Sequence, residues 1–578
     1  MEQEMVINKQ GNAGAGAEDK WVHDSSVDYK GSVPLRASTG VWKASLFIIT
    51  IEFSERLSFF GIAPNLISYL TKVLHQDLKT AAKNVNYWTG VTTMTPLLGG
   101  YLADAYTGRF NMVLISSLIY LIGLSLLTMS QFIPSLKACN RGICTKPRKI
   151  HETVFFLALY CISLGTGGHK PCLQSLGADQ FDDGHSEERK KKMSYFNWWN
   201  FALSCGLFLG VTVIVYTQDN TSWGVAYLIL AITMALTILI FYLGKPYYRY
   251  RLPQGSPLKP MLQVLVAAIR KRKLPYPASP TLLYEETDST LFQGRLLGHT
   301  SRLRFLDKAA ILEDKESYKN PWRLATVTRV EELKLVLNMI PIWLTSLMFG
   351  ICLAQPATFF VKQGATMNRR IGSSFMIPAA SIYTFAAIGT IIAVVTYDKV
   401  LVPFLRKTTG NERGISILKR VGIGMIFSAL SMAVAALVER ERLRIAEKEN
   451  VAVMAKKGSL SMSVFWLVPQ YMILAVADGF TLVGLQEYFY DQVPDSMRSL
   501  GLAFYLSVIG VGSFLSNFLI MITDHVTGKS GKSWFGKDLN TSRLDYFYWL
   551  LAVLTSLNLC AFVMFARRYQ YKNVQGRE

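Results

Sequence analysis

Apolar runs near the roughly 20 residues needed to cross a bilayer recur twelve times along the chain, at 42–72, 84–105, 110–131, 152–178, 194–217, 222–243, 332–362, 375–398, 415–438, 461–488, 498–524 and 545–567. After the sixth run the pattern breaks from Gly244 to about Val330, a segment holding Pro253, Pro257, Pro260, Pro275, Pro277 and Pro280 and no stretch able to span a membrane. The pattern predicts an all-α polytopic membrane protein. Its expected parts are a polar N-terminal tail (1–41), a six-helix bundle (42–243), an exposed linker (244–330) helical around Leu306–Leu312, a second six-helix bundle (331–568) and a short tail (569–578). No signal-peptide core precedes Trp42, so the first long helix must itself direct insertion.

Composition narrows the class. Of 578 residues, 51% are hydrophobic and only 17% charged, against about 25% charged in soluble proteins, which excludes a water-soluble enzyme. The net charge of +21 does not indicate a nucleic-acid partner, because the basic residues lie between apolar runs rather than on a polar, aromatic-bearing domain. The linker alone carries 16 Lys/Arg, and with Arg189-Lys190-Lys191-Lys192 and Arg567-Arg568 it marks one basic side. By the positive-inside rule that side, with both termini, is expected to be cytoplasmic. The opposite loops Lys137–Lys149 and Arg440–Lys457 are also basic, whereas sequons at Asn220 and Asn540 fall on the expected non-cytoplasmic side. The seven cysteines show no zinc or redox spacing. Only Cys139 and Cys144 share a polar loop, and a disulfide or two thiols are equally compatible with it. No metal or cofactor is expected.

Ionisable side chains inside a span cost at least ~2.5–3.5 kcal/mol each, so the few present carry most of the information. The first run contains Glu52, Glu55 and Arg56, whose helical spacing places all three on one face. Two close carboxylates in a low dielectric cannot both stay comfortably ionised, and a carboxylate poised between its two forms can carry a proton. In the fourth run, Gly165-Thr-Gly-Gly-His169-Lys170-Pro171 places a lone cation that needs an acid or an anionic substrate as partner. His169 is expected to point to another face, in a packing role. Asp478, in the tenth run, is the second half's best partner for a first-half cation. Gln355 and Lys362 are the polar groups of the seventh run after Pro341, with Lys362 near enough to the end to snorkel. Asp104 before Arg109, and Asp398 before Arg406, occupy equivalent helix ends in the two halves and are expected to latch and release those ends.

These motifs carry a resemblance. Glu52-x-x-Glu55-Arg56 with Phe59-Phe60-Gly61, Gly99-Gly100-Tyr-Leu-Ala-Asp104, the Gly165–Pro171 string, Gly177-Ala-Asp179-Gln-Phe-Asp182, Ser194-Tyr-Phe-Asn197-Trp-Trp199, Tyr397-Asp398 through Pro403, and Gln486–Arg498 resemble the proton-coupled oligopeptide transporters, in particular their plant nitrate transporter/peptide transporter branch. The resemblance covers about Trp42 to Arg568 and implies a major facilitator fold with alternating access. It assigns proton coupling to Glu52, Glu55 and Arg56, substrate contact to Arg56 and Lys170, and the tenth-helix acid, often glutamate in the family, to Asp478. A nitrate-carrying member has a seventh-helix histidine before Ala-Gln where this chain has Leu353, so nitrate recognition through that imidazole is absent. It also has a phosphorylatable threonine where this chain has Met112. Leu353 and Gln355 then complete the expected substrate site.

The expected function is proton-driven symport of a small anionic or zwitterionic solute, nitrate or di- and tripeptides first. The alternatives are a plant hormone or other organic anion as substrate, or a non-transporting membrane sensor. An enzyme is not expected, because His169 has no acid partner in sequence. The expected partners are solute, protons and lipid, in a monomer or weak dimer of the plasma or vacuolar membrane.

Overall fold

The computed structural model describes residues 20–571 except 23, 25, 134–135, 137–138, 141–142, 145–148, 183–184, 254, 257, 277–282, 286–296, 313–319, 373–374, 410–414, 450–458, 494–497, 530–532, 537–538 and 570. The first half begins with α1 (Val41–Ile62), which continues through a tight turn at Ala63–Asn65 into α2 (Leu66–Lys72). It proceeds through α3 (Leu78–Leu102), α4 (Arg109–Phe132) and α5 (Lys149–Ala178). Helix α6 (Ser186–Leu209) continues through a wide turn into α7 (Val215–Asn220), and α8 (Trp223–Leu243) closes the half. A linker helix, α9 (Leu258–Arg270), precedes the second half.

That half comprises α10 (Val327–Leu353) running on into α11 (Val361–Thr366), α12 (Thr384–Thr396) into α13 (Val402–Thr409), α14 (Ile417–Lys448), α15 (Val468–Gln492), α16 (Arg498–Lys529) and α17 (Leu544–Arg568). Ten of these spans are long and apolar enough to cross a membrane by length and composition. The first two, α1–α2 and α3, carry charged and polar side chains within the run instead.

Two helices depart from the apolar pattern for identifiable reasons. Helix α3 starts at Leu78 because Asp77 caps it, its carboxylate accepting the Thr80 N–H at 2.8 Å. Helix α14 continues through Arg440–Lys448, part of the expected basic loop, because Arg442 is fully buried and donates to both oxygens of Glu439 at 2.7 and 2.8 Å. Cys139 and Cys144 face each other across a two-residue-strand hairpin (β1, Cys139–Asn140; β2, Ile143–Cys144). Their side chains lie outside the described residues.

The linker is not simply exposed, as its proline and charge content suggested. Val264, Ala267 and Ala268 on one face of α9 are buried against Leu306, Ala309 and Ala310 and against Val327, Val330 and Leu333 at the start of α10. Beneath them Lys334, 1% exposed, bridges Asp307 (2.5 Å) and Glu331 (2.7 Å), while His299 meets Asp307 at 3.0 Å. Leu258, Leu262, Leu265 and Ile269 stay exposed on the other side of α9. Lys271, from the basic cluster, is buried and donates to the Ile311 carbonyl at 2.5 Å.

On the linker side, the described residues between 20 and 40 are clasped to the first half. Val27 pairs with Tyr250, and Arg36 bridges Asp182 (3.0 Å) and Glu188 (2.7 Å). Fully buried Arg249 also pairs with Glu188 (2.7 Å). The Gln180 carbonyl accepts the Val41 N–H at 2.8 Å, which sets the start of α1.

The halves close against each other on the side away from the linker. Asn86 donates to Ser516 (3.3 Å) and Asn517 (3.0 Å), and Lys79 pairs with Asp524 at 2.7 Å. Ser381 donates to the Val211 carbonyl at 2.8 Å. Lys362 crosses to the Thr71 hydroxyl rather than snorkelling outward.

Burial alone would raise the Glu188 carboxyl, but hydrogen bonds from Arg249 and the Asp182 N–H, with Arg36 beside it, hold it below the usual carboxylate range. Its ion pairs therefore support the clasp fully above the unfolded value of about 4.3 and are lost as pH falls through the lower folded value. Hydrogen-exchange protection of the Val22 and Val27 amides, bonded to Pro34 and Tyr250 carbonyls, should persist at pH 5 and fall only below about pH 4. Glu188→Gln should lose it at both.

Candidate functional site

The site is built on α1. The Arg56 guanidinium lies 3.4 Å from Glu52 and bonds Glu55 directly, and all three side chains are buried at 6%, 4% and 0% exposure. Arg56 can sit there because Gly206 of α6 leaves room: a Cβ at that position would lie 2.8 Å from the Arg56 Cβ. From α5, Lys170 comes to 4.8 Å above the Phe59 ring, whose other cationic neighbour is Arg56 at 5.5 Å. Such cation–ring contacts are favourable by ~0.5–2 kcal/mol, more when desolvated. Lys170 acts electrostatically on both carboxylates. Two acids and two bases therefore balance, and the charge that α1 alone leaves unpaired is met from α5.

His169 departs from expectation. Its ring is fully buried and joins the same cluster, a ring nitrogen and one oxygen of each of Glu52 and Glu55 lying within 4.8 Å of one another. Sequence spacing sets His169 and Lys170 about 100° apart around α5, and α1 is wide enough to meet both. Tyr120 of α4 adds a buried hydroxyl acting on Glu55 and Arg56. Glu52, Glu55 and His169 are ligand-type groups, but Arg56 and Lys170 already supply positive charge there, so the donor set does not fit a metal ion. In the linker cluster of His299, Asp307 and Glu331, Lys334 plays the same part.

Across the interface, Asp478 on α15 accepts from Thr390 of α12 at 3.3 Å through one oxygen, while its other oxygen is buried without a hydrogen-bond partner. Lys170 has no hydrogen bond or ion pair among the described residues, so the pairing of Lys170 with Asp478 is not made in this conformation. Tyr505 of α16 stands between the two halves' charges, close enough to feel both Asp478 and Arg56. Tyr383 lies on the Asp478 side. Neither tyrosine was legible in the sequence: with 27 tyrosines in the chain, only proximity singles out these two.

The remaining expected residues fall elsewhere. Leu353 packs half-buried against the core. Gln355 is fully buried, its amide donating to the Ile351 carbonyl (2.9 Å) and to Ser516 (3.4 Å), so it belongs to the seam between the halves rather than to the Lys170–Asp478 region. Arg109 meets Asp104 at 3.2 Å and Asp179 at 2.5 Å, and Arg251 takes the other Asp179 oxygen at 3.1 Å. This knot ties the first half to its own linker and, among the described residues, does not reach the second half. Arg406 is exposed on α13, and the Asp398 side chain lies outside the described residues.

Residues 110–535 match the PTR2 description of the POT family. The chain belongs to the POT family. Among similar proteins, Arabidopsis thaliana Protein NRT1/ PTR FAMILY 5.7 is 60% identical, covering 96% of this chain and 93% of that one. Arabidopsis thaliana Protein NRT1/ PTR FAMILY 5.6 is 59% identical with 96% of both covered. Among solved structures, the POT family transporter PepTSo matches with a TM-score of 0.68 at 19% identity over 91% of this chain and 98% of that one. An auto-inhibited POT family peptide transporter matches at 0.67 and 21% over 93% and 99%. The fold is that of the major facilitator transporters, and this POT-family member is a multi-pass membrane transporter rather than an enzyme.

In this transporter the glycine strings act through close packing. A Cβ on Gly99 of α3 would collide with the Gly167 carbonyl of α5, about one turn before Lys170. Neither helix backbone can yield cheaply, so Gly99→Val should cost at least the ~1–3 kcal/mol of an overpacked core. The expected readout is a lowered melting temperature of the detergent-solubilised protein with lost uptake; an unchanged melting temperature would rule out this packing.

Proposed function

We propose that the protein is a proton-coupled symporter of small zwitterionic solutes, di- and tripeptides ahead of nitrate, working by alternating access. The carrying observation is that, among the described residues, neither Lys170 of the first half nor the second oxygen of Asp478 in the second half has a hydrogen-bond partner. A solute with an anionic end for Lys170 and a cationic end for Asp478 would satisfy both and draw the halves together. Nitrate offers nothing to Asp478, and Leu353 offers nothing to nitrate. A hormone or other organic anion would likewise leave Asp478 unmatched.

The Glu52/Glu55/Arg56 cluster supports the coupling part of the reading. Protonating one acid frees part of the Arg56 guanidinium, so a proton on α1 alters the positive field that the solute meets. With the basic linker side cytoplasmic, in either the plasma or the vacuolar membrane, one proton crossing ~100 mV contributes ~2.3 kcal/mol. Each unit of pH gradient adds ~1.4 kcal/mol. Together they sustain accumulation of up to several hundredfold. The protein needs no resident cofactor in this scheme, and a monomer suffices.

Uptake of a solute panel in oocytes at two external pH values tests the reading. Peptide-evoked inward currents should grow at acid pH and vanish in Glu55→Gln and Arg56→Ala, with both variants still inserted in the membrane. Lys170→Ala should raise the apparent KM at least tenfold for solutes with a carboxylate. Asp478→Asn should do so for zwitterions and leave simple anions unaffected. Binding without flux at any pH would instead identify a sensor.

A further inference from the structure

His169 is fully buried, and both of its ring nitrogens lack a hydrogen-bond partner. One oxygen of Glu55, fully buried beside it, is also unpartnered. Leaving a buried polar atom unsatisfied costs ~1–3 kcal/mol, and here such atoms occur together in one cluster with a ring nitrogen within 4.8 Å of both carboxylates. The charged groups that face the imidazole are Glu52, Glu55 and Arg56 of α1 and its neighbour Lys170 on α5, with Tyr120 of α4 close to Glu55 and Arg56. With both acids ionised these charges already sum to zero. What the site lacks is a proton between an acid and the ring.

We propose that His169 is a third member of the proton-binding site, accepting the hydrogen bond of a protonated α1 carboxyl so that the carried proton is held between carboxyl and imidazole. A proton taken from water forms an O–H bond on Glu55 or Glu52. A side-chain adjustment of about 2 Å then brings that O–H onto an imidazole nitrogen at ordinary hydrogen-bond length. One proton thereby satisfies the orphaned Glu55 oxygen and one of the two ring nitrogens. If it passes across, the O–H bond breaks as an N–H bond forms, and the same proton is returned to water when the site opens to the other side. No other co-reactant is needed. The loaded form is thus stabilised by a group outside the α1 motif, and the proton affinity of the transporter is set partly by α5.

This inference rests on the proton-coupling reading above, and the experiment separates the two. Uptake and proton flux are measured from pH 4.5 to 8 in oocytes expressing the full chain, with a dipeptide as probe. Wild-type uptake should rise toward acid pH. His169→Leu should move the half-maximal pH about one unit to the acid side, a tenfold weaker proton affinity, with KM at saturating protons within twofold of wild type. His169→Gln, whose amide can still accept a hydrogen bond, should recover most of the shift. If His169→Leu does not reach the membrane, His169→Met carries the same expectation. A wild-type midpoint in the apolar variant overturns the role of His169 and leaves the coupling reading standing, whereas wild-type uptake indifferent to pH and without proton flux overturns both.

Discussion

The Arg56 guanidinium held between Glu52 and Glu55 is the constraint around which the first half is arranged. A lone charge at that depth would cost at least ~2.5–3.5 kcal/mol, so the three groups can remain only where geometry pairs them and the surrounding helices make room. Gly206 lets α6 come up against the Arg56 stem, Phe59 gives the guanidinium and Lys170 a shared aromatic ring, and Trp88 stacks on Phe59 at 5.7 Å. Removing any one partner leaves a buried charge uncompensated, which is far costlier than the pair itself is worth. The cluster is therefore poor as a source of stability and well suited to respond to one added proton.

Charge is distributed differently in the two halves. In the first, two acids and two bases are drawn together around α1 and α5. In the second, buried Glu439 and Glu331 are paired with Arg442 and Lys334, whereas Asp478 is held only by a neutral hydroxyl among the described residues. The seam joining the halves, from Lys79–Asp524 through Asn86 and Asn517 to Ser381 and Val211, combines neutral hydrogen bonds, the Lys362–Thr71 bond and one partly exposed ion pair. Exposed pairs contribute only about 0–1 kcal/mol, so the ion pair in this closure adds little to holding the halves together. The linker-side contacts are of another kind: Arg249 with Glu188 and Lys334 with Asp307 are buried pairs between a half and its own linker, and Arg109 with Asp179 is a partly buried pair within the first half.

Much of this was legible in the chain. Twelve apolar runs, the six-and-six division and the α1 charge triplet follow from hydropathy and helical spacing, which depend on local sequence alone. The Gly165–Pro171 string also announced a tight crossing, since only glycine lets helix backbones approach so closely. What hydropathy misjudged were polar residues paired across long separations. Arg442 reads as loop until Glu439, Thr366 and Asn540 are brought to it. The linker reads as exposed until α9 is laid on α10, because its proline and lysine content masks a short apolar face.

The sequence by itself determined the membrane class, the number of spans and the placement of acids and bases on α1, because an ionisable group inside an apolar run is costly wherever the run ends up. Tertiary structure alone decided which of those groups meet. It brought His169 and Lys170 from α5 onto one cluster with α1, set Gln355 into the seam instead of the site, left Lys170 and Asp478 apart, and placed Tyr505 between the halves. Those outcomes depend on how helices from distant parts of the chain rotate and cross, and a rotation of a fraction of a turn moves a side chain from the cavity to the packing face without changing any local signal.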